Sequence, residues 1–385
     1  MSDNNYNIIL TNSIKKKLLT KLKSIGYFAS TLVYGKINGI IDPQKHEFIE
    51  IFKKYLDQKF SYNIYKIKNC RIYTDTINDT AFIIKNKIVK GPSFQFRSVE
   101  YKDVKNSDVS KNIVFYKGTA RIKRNVRGTV FSLLTGGAGN SNYWHWLFDV
   151  LPRIKIFNEQ FSFHDLNYFL FPDLKEKFQK DTIKLLNIPT SKTISSKSYR
   201  HIYSDFVITT DHPYVIKNNP STEIQNLPHW ILKFLRESFL KEKKQTNLPN
   251  KFYIDRKDSK SNHRHLRKII NEDEVKDFLI GKGFSIITLS NLSFEEQVIL
   301  FNNAKQIVGL HGAGFANLTF CKPRTSVLEI KPQTAGAVIG NLAKNLQLNY
   351  NEISIKPSEN FNNDQQGLIT VPINLLEKKI EIDYN

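Results

Sequence analysis

Apolar and polar residues follow two different patterns along this chain. From about residue 70 to about residue 135, short apolar runs rich in β-branched and aromatic residues predict strands. From about residue 168 onward, short apolar runs alternate with amphipathic stretches of helical length. This alternation predicts a parallel, doubly wound sheet, so the predicted fold class is α/β with extra β-rich N-terminal elements.

The predicted elements divide into two domains. Strands are predicted at Thr80–Ile84, Ser93–Phe96, Asn112–Tyr116, Gly128–Phe131, Tyr168–Phe171, His201–Thr209, Phe252–Ile254, Phe284–Leu289, Gln306–Leu310, Ser326–Ile330 and Gln347–Tyr350. Helices are predicted at Asp173–Leu186, Leu227–Lys244, Asn271–Gly281, Ser293–Ala304 (with a Ser293–Glu296 capping box) and Ala335–Leu346. Because 385 residues exceed the usual size of one core, domains are predicted at 1–244 and 245–385.

A glycine-rich turn, Gly309–Asn317, follows one predicted strand. Its glycines allow a tight turn, and the first N–H groups of the helix that opens there attract a phosphate. His311 adds a donor or a partial charge at the strand end. The residues predicted to bind a phosphate here are His311, Gly312, Ala313, Gly314 and Asn317. A tight turn with a structural histidine is the alternative.

The segment Asn142–Arg153 predicts a helix that carries a histidine, an aspartate and an arginine. His145 and Asp149 are four residues apart, so the carboxylate can orient the imidazole. Pro152 is expected to end or kink the helix. The predicted catalytic residues are Asp149 and His145, and the predicted acceptor-side or phosphate contacts are Asn142, Trp144 and Arg153. A hydrogen-bonded core histidine is the alternative for His145.

Charged residues also occur at predicted strand ends, where ligands of doubly wound sheets bind. Arg256 and Arg264 lie in the basic loop after the strand Phe252–Ile254, and guanidinium groups grip phosphates through two donors. Both are therefore predicted to bind a diphosphate. Glu329 ends another strand and is predicted to accept hydrogen bonds from ribose hydroxyls, with a salt bridge to Lys331 or a capping contact as the alternative.

The charge favours anionic partners. Lys and Arg number 57 against 36 Asp and Glu, which gives a net charge of +21. No specific nucleic acid is predicted, because the basic residues are spread along the chain without a recognition motif; a basic nucleic-acid-binding protein is kept as an alternative. The basic helix predicted at Ile14–Ile25 is either a peripheral contact with an anionic membrane or a solvated surface helix.

Few features point to a metal or to secretion. His263 and His265 have no cysteine companions, so no metal site and no required cofactor are predicted, with a divalent metal left open. There are two cysteines, and neither a secretory signal nor a run of about 18 apolar residues is visible. These observations predict a cytoplasmic protein, with the peripheral membrane contact as the open alternative.

Several segments, in this order, resemble glycosyltransferase family 61, which includes xylan-decorating transferases, protein O-GlcNAc transferases and bacterial capsular polysaccharide enzymes. The segments are Asn142–Arg153, Arg256–Arg264, Phe294–Gln297 with Ala304, Val308–Asn317 and Val327–Ile330. The resemblance covers about residues 142–350 and implies a GT-B-like architecture, two Rossmann-like domains facing across a cleft. It further implies a nucleotide-sugar donor on the C-terminal domain, an acceptor mainly on the N-terminal one, and inversion at the anomeric centre.

The resemblance also implies roles for single residues. Arg256 and Arg264 match basic positions near the donor diphosphate, His311 with Gly312 and Gly314 matches the loop at that diphosphate, and Glu329 matches an acidic position near the nucleoside. It implies no base. The lack of a secretory signal anchor favours a cytosolic glycan or a lipid-linked glycan as acceptor.

The function predicted from the sequence is an inverting glycosyltransferase. It would move a sugar from a nucleotide-diphosphate donor, with UDP as the first expectation, to a hydroxyl of a surface polysaccharide or other glycan. Because inversion needs a base opposite the leaving group, Asp149 or His145 is predicted to deprotonate the acceptor. A catalytically silent scaffold of polysaccharide assembly is the alternative.

Overall fold

The computed structural model describes residues 24–74, 80–93, 108–134, 141–216, 220–240, 247–258, 267–358 and 367–381. The chain forms two compact units, each built from several segments. The first unit comprises Met1–Asn140, Ile156–Asp173 and Lys192–His212, and the second comprises Ser141–Lys155, Leu174–Ser191 and Pro213–Asn385. Three segments before residue 245 therefore belong to the second unit. The predicted assignment of acceptor and donor sides to the two domains stays a prediction.

The first unit is a nine-stranded mixed sheet with few helices. Its strands are β1 (Gly39–Ile41), β2 (Ile49–Tyr55), β3 (Ser61–Thr74), β4 (Thr80–Ile84), β5 (Lys87–Val89), β6 (Arg124–Ser132), β7 (Tyr168–Phe171), β8 (Thr193–Ser195) and β9 (His201–Thr210). Its helices are α1 (24–34) and α2 (Val114–Lys117).

The long strand β3 organises this sheet. It pairs antiparallel with β2, β4 and β9, while β6 pairs parallel with β7 and β9, in the order β1-β5-β4-β3-β9-β6-β7-β8. One face of β3 and its neighbours is apolar and buries Ile67, Ile72, Phe82, Val130 and Val207. Burial of this face supplies the main free energy that holds the sheet together.

The predicted strand Asn112–Tyr116 is wrong, because the chain forms helix α2 there. The side chain of Asn112 accepts a hydrogen bond from the backbone N–H of Val114 (3.2 Å), and Gly118, with a φ of +58°, ends the helix. Local capping thus outweighs the β propensity of the apolar run. Of the predicted strand Ser93–Phe96, residues 94–96 lie outside the described residues, as do residues 14–23 of the predicted basic helix.

The second unit contains a five-stranded parallel sheet flanked by helices. The strands of this unit are β10 (Lys251–Asp255), β11 (Arg267–Ile269), β12 (Ser285–Thr288), β13 (Gln306–Leu310), β14 (Ser326–Pro332), β15 (Asn349–Ile355) and β16 (Gly367–Ile369), of which β11 and β16 form a separate pair. Its helices are α3 (Tyr143–His145), α4 (Pro152–Asn158, which continues into the first unit), α5 (Lys177–Leu185), α6 (Pro220–Glu223), α7 (His229–Phe239), α8 (Glu272–Gly281), α9 (Phe294–Asn303), α10 (Val338–Asn345) and α11 (Ile373–Glu381).

The strand order of the parallel sheet is β12-β10-β13-β14-β15. In order of appearance these are the second, first, third, fourth and fifth strands of the sheet. The direction of winding therefore reverses between β10 and β13, and a doubly wound sheet opens a ligand crevice at this switch point, beyond the strand carboxyl ends. The predicted α/β class and parallel sheet are confirmed.

Several predicted elements agree closely with the structure. Strand β13 spans the predicted Gln306–Leu310, and the capping box at α9 forms, with Ser293 Oγ accepting from Glu296 N (3.2 Å) and Glu296 accepting from Ser293 N (2.7 Å). Among the described helices, none is both long and apolar enough to cross a bilayer.

Gly128 is a position in β6 that requires glycine. Its φ is +89°, and a Cβ there would lie 2.1 Å from Oδ1 of Asn167, which itself accepts from Thr129 N (2.8 Å). We expect Gly128→Ala to lower the free energy of unfolding by about 1–3 kcal/mol. Gly281→Ala is the matched control, since a Cβ there meets nothing within 4 Å in a helix, and should be neutral or slightly stabilising. Urea unfolding measures both; equal stability of the two variants would contradict the strain argument.

Candidate functional site

Two loops meet at the switch point of the parallel sheet. Strand β10 is followed by Arg256 and strand β13 by His311 and Gly312, and the two strands are in register with Ile254 opposite Gly309. Nη1 of Arg256 donates a hydrogen bond to the backbone carbonyl of His311 (3.0 Å). A Cβ at Gly312 would lie 3.4 Å from Cζ of Arg256, so the glycine lets the guanidinium lie against the loop backbone.

The glycine turn leads into a 3₁₀ helix, Ala313–Phe320, and not into an α-helix. Ala313 and Gly314 are partly exposed at its first turn, whereas the following residues are buried. A Cβ at Gly314 would lie 2.9 Å from Cδ1 of Leu289, so glycine lets this side chain pack closely against the turn. The first N–H groups of this helix lie at the crevice beside Gly312, where an anion would find donors.

His311 is held by a fully buried carboxylate. Nδ1 of His311 hydrogen-bonds to Oε1 of Glu329, and the hydroxyl of Tyr350 donates to Oε2 of the same group. Because a carboxylate only accepts, Nδ1 carries the proton and Nε2 is left as the second functional atom of the ring. Burial lowers the pKa of His311 despite the opposing effect of Glu329, so the imidazole is neutral near pH 7.

This arrangement gives Glu329 a role that the sequence did not predict. The side chain is 0% exposed, and each of its oxygens accepts from a protein group, so it orients His311. The predicted alternative, a salt bridge of Glu329 with Lys331, does not form; Lys331 pairs instead with Glu352 (2.7 Å). The contact between Glu329 and a ribose stays a prediction.

Arg267 at the start of β11 is a site residue that sequence reasoning missed. Burial, and after it the like charge of Arg256, lower the pKa of its guanidinium to about 10, although Glu329 opposes both. The group is therefore charged at neutral pH. Among the described residues, no acceptor lies within hydrogen-bond distance of its buried Nε and Nη1 atoms. The only sequence signal was its place at the end of the basic loop, and Arg264 in that loop lies outside the described residues.

His145 and Asp149 form a second polar group in the same unit. Nδ1 of His145 and Oδ2 of Asp149 are 2.8 Å apart, as their spacing predicted, and Asp149 is 0% exposed. The hydroxyl of Tyr214 lies beside this carboxylate; its pKa is raised well above 10, first by burial and then by the charge of Asp149. The carboxylate end of the pair therefore lies in the interior of the unit.

An irregular helical turn carries this pair. Trp146–Val150 is a π-helical turn, in which the N–H of Leu151 donates to the carbonyl of Trp146 (3.1 Å), and the α-helix resumes at Pro152. Proline lacks an N–H, so the widened turn precedes the residue that cannot continue the ladder. Such turns are frequent at functional sites.

The loop and the His145 helix are joined through Asn317. The hydroxyl of Tyr143 donates to Oδ1 of Asn317 (2.6 Å), and Nδ2 of Asn317 donates to Gln297 (3.1 Å) and to the carbonyl of Gly314 (3.3 Å). Asn317 is 0% exposed. Its amide is committed to these protein partners, which makes Asn317 a brace of the loop; direct donor binding by this residue stays a prediction.

The remaining predicted contacts lie in different surroundings. Asn142 is exposed and caps α3, with Oδ1 accepting from Trp144 N (3.0 Å). Trp144 is 6% exposed, and its indole N–H finds no acceptor among the described residues. Arg153 is 1% exposed and so lies inside the unit. No group of three or more His, Cys, Asp or Glu within the described ranges has the geometry to hold a metal ion.

Comparison with known proteins finds a protein family that matches part of the chain and a similar protein of known name. Residues 143–328 match the family model described as Glycosyltransferase 61. A segment of 108 residues is 32% identical to Beta-1,2-xylosyltransferase RCN11 of Oryza sativa subsp. japonica, and the match covers 25% of this chain and 20% of that protein. The chain thus corresponds to about a fifth of this relative's length. The region that matches the family model, 143–328, contains His145, Asp149, Arg256, Arg267 and His311.

The Asn317 brace predicts a stability effect. Burial raises the pKa of Tyr143 well above 10, so its hydroxyl stays protonated and donates. We expect Tyr143→Phe to lower the free energy of unfolding by about 1–3 kcal/mol, because it leaves a buried acceptor unsatisfied. Tyr116→Phe, at a ring that is 63% exposed, is the matched control and should change little. Urea unfolding tests this; a Tyr143→Phe variant as stable as the control would argue against the brace.

Proposed function

Because the chain belongs to glycosyltransferase family 61 through residues 143–328, we propose that the protein is a glycosyltransferase with a nucleotide-diphosphate sugar as donor. The observation that carries the proposal is the guanidinium group of Arg256 at the switch point of the parallel sheet, together with that of Arg267, which is close enough for the two charges to interact. Their charges repel each other, and a ligand with two adjacent negative charges would relieve that repulsion. A diphosphate has this chemistry.

The two arginines have different tasks in this proposal. Arg256 braces the loop through the carbonyl of His311, whereas Arg267 has donor atoms without a protein acceptor among the described residues. Arg267, the N–H groups at Gly312–Gly314 and Arg256 would stabilise charge on the departing diphosphate. Fixed cations would do the work that a divalent metal does in other sites, so we propose that transfer needs no metal.

His145 is the better candidate for the base of an inverting reaction. Asp149 is fully buried, while Nδ1 of His145 faces Asp149 and leaves Nε2 as the proton acceptor. We propose that Nε2 of His145 removes the proton of the acceptor hydroxyl, and that Asp149 fixes the tautomer and stabilises the imidazolium.

The donor sugar and the acceptor are the finer parts of the proposal. The predicted class is a hexosyl- or pentosyltransferase, and the name of the relative, a beta-1,2-xylosyltransferase, supports a pentosyl donor. A surface polysaccharide or another glycan, free or lipid-linked, remains the proposed acceptor. Each unit has its own sheet, which supports the proposed GT-B-like fold; the acceptor side on the first unit stays a prediction.

A thermal-shift screen against UDP, GDP, CMP and their sugar conjugates, with and without EDTA, tests the donor site. One nucleotide class should raise the Tm, because a ligand that binds only the folded state stabilises it; a concentration 100-fold above Kd contributes about 2.7 kcal/mol. EDTA should leave the shift unchanged. Loss of the shift in EDTA would contradict the metal-free mechanism, and no shift with any nucleotide would favour the scaffold alternative.

Substitution of Arg267 tests the division of tasks between the arginines. We expect Arg267→Ala to weaken binding of inorganic pyrophosphate by at least about tenfold, because it removes a charge-assisted hydrogen bond, and Arg267→Lys to recover part of the loss. Calorimetric titration measures the Kd. Lys268→Ala, which removes an exposed cation one residue away, is the matched control and should bind nearly as well as the parent.

A further variant separates binding from proton transfer. His145→Gln should leave pyrophosphate affinity unchanged while it abolishes sugar transfer. If Lys268→Ala bound pyrophosphate as weakly as Arg267→Ala does, that result would show a diffuse effect of positive charge and would refute a specific role of Arg267.

A further inference from the structure

Helix α1 of the first unit has its apolar face turned outward. Ile25, Phe28 and Leu32 recur at the spacing of one helix face and are 64%, 65% and 72% exposed, and the neighbouring Val33 is 71% exposed. A surface helix normally turns such a stripe toward its own core. Large side chains of this kind, exposed together, mark an interaction site.

The opposite face of α1 packs on its own unit. A Cβ at Gly118 would lie 3.0 Å from the ring of Tyr27 and from Oγ of Ser30, and the N–H of Lys123 donates to the hydroxyl of Tyr34 (3.2 Å). The inward face is therefore formed by polar and aromatic side chains that already have partners. The outward orientation of the apolar stripe is thus fixed by these contacts.

The segment packed beside α1 adds more exposed apolar side chains. Tyr116 is 63% exposed and Ile122 is 84% exposed, and both belong to the stretch 116–124 that contacts the helix. We call the exposed residues of these two segments the α1 patch. It contains six of the eleven large hydrophobic side chains that are exposed among the described residues. This concentration is what distinguishes it from the scattered apolar residues of an ordinary surface.

The charge of the α1 patch has one sign. Lys117, Arg121 and Arg124 are exposed in the same stretch. Residues 24–36 and 112–127 contain no Asp or Glu. Two packed segments that expose aliphatic and aromatic side chains as well as cations, and that contain no acidic residues, match the interface of a bilayer that contains anionic lipids. A second copy of the chain is a poorer match, because it would bring like charges together.

From this combination we propose that the α1 patch binds the surface of anionic membranes and holds the protein there peripherally. Ile25, Phe28 and Leu32 insert among the head groups, and Lys117, Arg121 and Arg124 attract the lipid phosphates. The proposal does not depend on the sugar-transfer activity, because it concerns the first unit alone.

Sedimentation with vesicles tests the proposal on the full chain. We expect strong binding to vesicles of phosphatidylcholine with phosphatidylglycerol, weak binding to phosphatidylcholine alone, and weaker binding as salt is raised. Phe28→Asp combined with Leu32→Asp should lower the affinity for anionic vesicles by at least about tenfold, since it removes two inserted groups. Lys117→Glu combined with Arg121→Glu should do the same through charge.

Exposed residues elsewhere provide matched controls. Ile280→Asp replaces an apolar side chain that is 55% exposed on α8, and Lys344→Glu reverses an exposed charge on α10. Both should bind vesicles like the parent, and thermal unfolding should show that all variants are folded. Absence of parent binding, equal binding to neutral vesicles, or parental binding by the Phe28/Leu32 variant would overturn the proposal. Self-association of the parent that the Phe28/Leu32 variant abolishes would assign the patch to a second copy instead.

Discussion

The buried amide of Asn317 is the interaction on which the candidate site depends. Three parts of the second unit that are distant in sequence meet there: the helix of His145 through Tyr143, helix α9 through Gln297, and the glycine turn through Gly314. An amide offers both donors and an acceptor, so one side chain can join all three. Because each partner is satisfied only in this arrangement, the turn at the switch point is held to one conformation.

On this fixed turn the second unit places a concentration of positive charge. Arg256 lies against the loop backbone, and Arg267, with buried donors, is close enough to interact with the charges of Arg256 and Glu329. His311 is kept neutral by burial while Glu329 fixes its tautomer. The cost of bringing the guanidinium groups together is met by the folding of the unit, before any ligand arrives. Such preorganised charge is what a reaction with an anionic leaving group requires.

The sequence predicted local structure well, but it predicted poorly which side chains and segments contact each other over long sequence distances. Strand β13, the capping box at α9 and the pairing of His145 with Asp149 follow from short-range patterns, and all three are confirmed. Helix α2 was predicted as a strand, because its apolar run does not reveal that the side chain of Asn112 would accept a hydrogen bond from Val114 N and turn the chain into a helix. The connection of residues 141–155 to the second unit also escaped prediction, since it depends on contacts such as that of Tyr143 with Asn317 across 174 positions.

The same distinction explains the site residues. Arg256 and His311 were found because they follow predicted strands, whereas Arg267 precedes one and differs from other basic residues only by its burial. The carboxylate of Glu329 has the position expected of a ligand-binding residue, but its oxygens face His311 and Tyr350. Sequence spacing indicates at which position of a strand or helix a side chain is attached. Only the packed structure shows which groups that side chain contacts.

In the proposed reaction, the repulsion between Arg256 and Arg267 would have a consequence for turnover. A crevice that recognises its donor mainly through the diphosphate does not distinguish strongly between the nucleotide sugar and the nucleotide diphosphate that remains after transfer. The product would leave behind two unshielded cations, so its departure is opposed by the same electrostatics that favour its formation. An enzyme of the proposed design would be slowed by accumulated product and would work best where another reaction removes the spent nucleotide.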